Sequence, residues 1–137
     1  HCESQQPMER VMGLDMYLKG ERFNSHEGRP QQDGFPVSMT VLEIGYWRKH
    51  PNLHGYIVQT FADGKDECQR ISLEAEDCRK VAMAILEGEL PPTDGFFFGD
   101  SDWHKDDKED NARMFADAAE WLDDGDWTRS VFYQASW

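Results

Sequence analysis

The 137-residue chain predicts a single compact α+β domain, with an antiparallel or mixed sheet of about five strands and two or three helices. Three observations carry this. Apolar residues alternate with period two in several separated segments, as half-buried strands require. Two longer segments repeat apolar residues every three to four positions and stop at Gly88 and Gly125, the pattern of amphipathic helices ending in a left-handed residue. Strand and helix patterns interleave irregularly, without the regular βαβ order of a parallel sheet.

In chain order, residues 1–11 are polar and unpatterned and lack the apolar core of a secretory signal, so a flexible extension is expected there and the domain is placed at 12–137. Residues 13–23 set Leu14, Met16 and Leu18 against Asp15, Tyr17 and Lys19, a strand with one apolar face. Residues 24–36 hold Gly28, Pro30, Gly34 and Pro36 and read as a long loop. Residues 37–47 are β-prone. Pro51 then opens a helix with Leu53, Ile57 and Phe61 on one face; the competing reading is a hairpin turning at Asp63-Gly64.

Residues 67–73 form a short strand, and Ser72 is expected to cap a helix whose inward face holds Cys78, Val81, Ala82 and Ile85. Pro91-Pro92 breaks the chain, and Phe96 to Phe98 read as a buried strand. A further helix covers roughly 105–124 with Met114, Phe115, Ala118, Trp121 and Leu122 inward, and 130–137 closes the domain as a strand.

Eight Phe, five Trp and four Tyr exclude a disordered acidic chain. With 27 acidic against 14 basic residues the formal charge is -13, which argues against direct nucleic-acid binding and against an anionic membrane surface. No segment approaches a membrane span. Three cysteines without a CxxC pair point to free thiols and a reducing compartment, with Cys78 a small core hydrophobe.

Against that charge, residues 44–62 stand out as 19 positions without an acid, holding Arg48 and Lys49 as their only formal charges. A helix opening at Pro51 would direct its first N–H groups and its dipole at an anion. Arg48 and Lys49 supply charge, His50 and His54 donors, and Tyr46 or Trp47 a stacking face. The bland alternative puts Tyr46 and Trp47 in the core and pairs Arg48 and Lys49 with the surplus acids. His50 and His54 have metal-compatible spacing but no third ligand nearby, and the Asp100 to Asp107 segment lacks the Gly and Glu of a calcium loop. No metal, cofactor or catalytic residue is assigned. Residues 94–126 carry twelve acids against Lys105, Lys108 and Arg113, read either as a solvated helix face or as a mimic of duplex phosphates.

Four short motifs, in order, carry a resemblance: Gly13-Leu14-Asp15-Met16-Tyr17-Leu18, Gly45-Tyr46-Trp47-Arg48-Lys49 with His54 downstream, Gly95-Phe96-Phe97-Phe98-Gly99, and Tyr133-Gln134-Ala135-Ser136-Trp137. Over 12–137 the chain resembles small uncharacterised proteins of tailed bacteriophages and prophages that begin with a GLDMYL-type segment. The resemblance implies a phage origin and action in the host bacterial cytoplasm, names no reaction, and points to Asp15, Tyr17, Trp47, Arg48, His54, Phe98, Gly99 and Trp137.

The expected function is a non-catalytic binding protein that sequesters a small anionic or nucleotide-like ligand to counter host defence. Asp15, Tyr17, Tyr46, Trp47, Arg48, Lys49, His50, His54, Phe98 and Trp137 are the candidate ligand residues. One alternative is an acidic inhibitor, or DNA mimic, of a basic host protein. Another is a metal-dependent enzyme using His50, His54 and Asp100 or Asp102. The sequence specifies no oligomeric state.

Overall fold

A computed structural model describes residues 14–48, 50–90 and 108–136. The strands are β1 (Asp15–Phe23), β2 (Gln31–Gln32), β3 (Phe35–Pro36), β4 (Met39–Arg48), β5 (Ile71–Leu73) and β6 (Arg129–Ser136); the helices are α1 (Pro51–Phe61), α2 (Ala75–Leu86) and α3 (Lys108–Leu122). Four strands make one sheet in the order β4-β1-β6-β5, and β2 and β3 form a separate ribbon. Every neighbouring pair is antiparallel. The fold is α+β, and the sheet is antiparallel throughout its described strands.

Period two decides what the sheet buries. Leu14, Met16 and Leu18, with Val131, Tyr133 and Ala135 from β6, face the core. Leu53, Ile57 and Val58 of α1 join them, as do Val81 and Ile85 of α2 and Phe115 and Ala118 of α3. Arg79 of α2 meets Asp123 just past α3, while Leu86 and Glu109 border one groove, so α2 and α3 run antiparallel. Asp15, Tyr17 and Lys19 are left on the outer face.

Residues 51–61 are helical rather than a hairpin. Pro51 stands in the first turn, and Asp63 and Gly64, both at positive φ, end the helix instead of turning a hairpin. Gly64 N–H and Ala62 N–H both donate to the Val58 carbonyl there. Ser72 does not cap α2. Pairing with Phe132 keeps it inside β5, and Glu74 takes the cap position, its N–H donating to Asp77 at 2.9 Å. The expected extension at 1–11, the strand at Phe96 to Phe98, the acidic segment with Asp100 and Asp102, and Lys49 and Trp137 lie outside the described residues.

The expectation of free thiols is corrected at one position. Cys78 is free and buried, but Cys68 is disulfide-bonded. An odd cysteine count accommodates one bond and one leftover core thiol, so the step from three cysteines to a reducing compartment does not hold. Burial, helped by the neighbouring Asp77 carboxylate, pushes the Cys78 thiol up to about 12. Without reductant, an alkylating agent at mild pH should leave Cys78 unmodified in the folded protein and label it on denaturation, while Cys68 stays unlabelled in both states. Peptide mass spectrometry reads this, and labelling of Cys68 without reductant would restore the free-thiol reading.

Gly45 is fixed by close approach. A Cβ there would lie 2.7 Å from the Trp47 ring and 2.9 Å from the Met114 sulfur. Gly45→Ala should cost about 1–3 kcal/mol through overpacking. The cost should appear as a lower urea midpoint at unchanged slope.

Candidate functional site

Strand alternation divides the basic–aromatic segment. Tyr46 and Arg48 point outward from β4, opposite Tyr17 and Asp15 of β1. The Tyr46 hydroxyl donates to Asp15 Oδ1 at 2.7 Å, and Arg48 Nε stands 4.0 Å from the same oxygen. Tyr17 and Tyr46 rings lie 5.2 Å apart, with Lys19 Nζ 4.9 Å from the Tyr17 centroid. The hydrogen bond to Asp15 holds the Tyr46 hydroxyl above its ordinary pKa. Four predicted ligand residues thus share the outer sheet face, engaged with one another. Arg48 is two-thirds exposed, and an ion pair so placed contributes little to stability.

Trp47 turns the other way. Its ring stacks on Phe115 at 5.3 Å and 17°, with 3% of the residue exposed. No face is left for a ligand ring. The indole N–H donates to Asn111 Oδ1 at 2.9 Å.

The two histidines also separate. His54 is buried, with Nδ1 2.7 Å from the Tyr133 hydroxyl and Nε2 2.9 Å from Asp66 Oδ2. A carboxylate only accepts, so Nε2 donates to Asp66, and in the neutral ring Nδ1 then accepts from the Tyr133 hydroxyl. Burial, with the Asp66 charge behind it, holds the Tyr133 phenol well above its ordinary pKa and keeps that donor protonated. This chain joins β6, α1 and the loop after α1. His50 instead caps α1, its Nδ1 accepting from Leu53 N–H at 3.3 Å.

His50 borders a cavity of about 80 Å³ shared with Asn52, Ile85, Gly88, Leu90, Lys108 and Asn111. That space suits a few waters or one phosphate- or carboxylate-sized group, and it is well short of a nucleotide-sized pocket. Because an indole N–H can only donate, it occupies the oxygen end of the Asn111 amide and leaves the amino end directed to the cavity. Asn111 is only 6% exposed, and among the described residues its amino group has no hydrogen-bond partner. Lys108, on the same side of α3, forms no ion pair among the described residues; its Nζ lies 3.5 Å from where a Gly88 Cβ would stand. Arg48 does not line this cavity.

Of the predicted site residues that are described, His50 alone borders the cavity. Asp15, Tyr17, Tyr46 and Arg48 lie on the outer face, Trp47 stands behind Asn111, and His54 is held by Tyr133 and Asp66. Lys49, Phe98 and Trp137 fall outside the described residues. No group of three or more His, Cys, Asp or Glu side chains able to hold a metal ion occurs among the described residues. Sequence reasoning missed Asn52, Lys108 and Asn111. One signal was present: Asn111 interrupts the apolar stripe that continues through Phe115, Ala118 and Leu122.

Comparison with protein-family models, with curated proteins and with solved structures finds no match in any of the three.

Burial lowers the pKa of His50 to about 4. The unfolded chain, titrating near 6.5, then binds more protons than the native one between these values, so stability is fully present above about 6.5 and falls as pH drops toward 4. His50→Asn keeps a capping acceptor without the titration. Its melting temperature should fall less than that of the parent across this window, and parallel curves would remove His50 from the pH response.

Proposed function

We propose that the protein is a non-catalytic binding protein for a small anionic group, a phosphate or a carboxylate, received between the start of α1 and the start of α3. The observation that carries this reading is the buried Asn111 amide, oriented by Trp47, which borders the cavity with two N–H donors that have no partner among the described residues. The Lys108 ammonium, without an ion pair among the described residues, adds charge beside those donors. The start of α1 adds its dipole, and the neutral His50 ring caps that end of the helix.

The resemblance to tailed-phage proteins adds a phage origin and a purpose to the proposal. A phage protein of this kind removes an anionic signal of host defence from solution, and the host cytoplasm is where that would occur. The cavity would take the anionic group of such a molecule, and the remainder would lie outside the described walls. No helix among the described residues is long and apolar enough to cross a membrane.

Thermal shift with inorganic phosphate, acetate and a panel of nucleotides tests the reading. At a hundredfold excess over Kd, an anion should stabilise the protein by about 2.7 kcal/mol. Lys108→Gln should abolish that shift with little effect on the ligand-free melting temperature, and Arg48→Gln should preserve it. A shift lost in Arg48→Gln and kept in Lys108→Gln would move the site to the outer sheet face. If no anion stabilises the parent, the proposal fails.

A further inference from the structure

The face of the α2–α3 pair beside the one that borders the Lys108–Asn111 cavity has a different character. Ala82 and Leu86 of α2 and Ala112 and Ala116 of α3 line a groove of about 290 Å³, with Glu109 and Arg113 at its edge. Leu86 is 50% exposed, and its neighbour Met83 is 52% exposed. Small side chains on α3 opposite a large one on α2 form a trough into which a further helix can lay an apolar ridge.

Charge identifies the occupant. Residues 74–89 and 108–124 together carry eleven carboxylates against four cations, a net of -7. Arg113 is partly offset by Asp110 at 3.9 Å, and Arg79 is engaged by Glu76 and Asp123. Asp117 and Glu120 are exposed carboxylates beside the groove on α3, and Glu87 stands at its α2 end. An apolar trough with an anionic rim complements a helix that has leucine-like residues on one face and lysine or arginine flanking them. We propose that this groove docks a cationic amphipathic helix of a partner protein. The proposal is independent of the anion cavity, which is bordered by the neighbouring track of α3.

A synthetic Leu/Lys peptide of about 14 residues, with leucines at helical spacing, serves as the probe, and a scrambled peptide of equal composition as the control. The full chain should bind the amphipathic peptide with a gain in peptide helicity by circular dichroism, and bind the scramble at least about tenfold more weakly. The double variant Met83→Ser with Leu86→Ser, altered only at half-exposed positions, should weaken binding about tenfold or more at both 50 and 500 mM salt. The double variant Asp117→Lys with Glu120→Lys should weaken it about tenfold at low salt and much less at high salt. Glu27→Lys, on the loop before β2, should change nothing. Equal binding of both peptides would reduce the effect to net charge and overturn the proposal. Binding untouched by either double variant, both shown folded by their melting curves, would overturn it too, as expected if the chain's own residues cover the groove.

Discussion

The hydrogen bond from the Trp47 indole to Asn111 is the constraint on which the candidate site depends. Trp47 is carried inward by strand alternation and pressed flat on Phe115, so its N–H is buried and needs an acceptor. Asn111 supplies that acceptor from α3. The bond pins the edge strand β4 to a helix that follows it by some sixty residues. It also removes the freedom of the amide to flip. One buried donor therefore satisfies the core and, in the same contact, aims two further donors at the cavity.

That arrangement explains why the basic–aromatic segment is not one site. Neighbouring residues on a strand face opposite sides of the sheet. Tyr46 and Arg48 thus meet Asp15 and Tyr17 in solvent while Trp47 enters the core. At Pro51 the period changes from two to 3.6, and His50 and His54 part company. His50 spends a ring nitrogen on the cap, and His54 lies one turn inside, between Tyr133 and Asp66. Tyr46, Trp47, Arg48, His50 and His54, close in sequence, are thus distributed over four environments.

Much of the fold was legible. Alternation in β1 identified its inward face, β-prone composition located β4 and β6 without saying which side they bury, and Pro51 with Leu53, Ile57 and Phe61 identified α1 against the hairpin alternative. What failed required knowledge of partners. Ser72 has the chemistry of a cap, but Phe132 across the sheet holds it in a strand. Cysteine counting cannot show that Cys68 is bonded. The site was less legible than the fold for the same reason. Lys108 and Asn111 are ordinary residues of an acidic helix until the register of α3 against α1 and β4 puts them beside His50. Asn111 alone left a trace, as a polar residue on an apolar stripe, and a stripe does not say what its exception will face.

The helical period of α3 reconciles the proposed anion cavity with a molecule of strongly negative charge. Lys108, Asn111 and Phe115 follow one another at spacings of three and four and look toward the sheet and α1; Glu109, Ala112, Arg113 and Ala116 follow the neighbouring track and border the outer groove. At physiological ionic strength screening acts over roughly 8 Å. A group inside the cavity therefore responds chiefly to the ammonium and amide it touches, while the net charge governs its approach. Two surfaces of opposite electrostatic preference can occupy one helix because successive residues point about 100° apart around its axis. The acidic composition then describes the outer surface and leaves the interior cavity its own polarity.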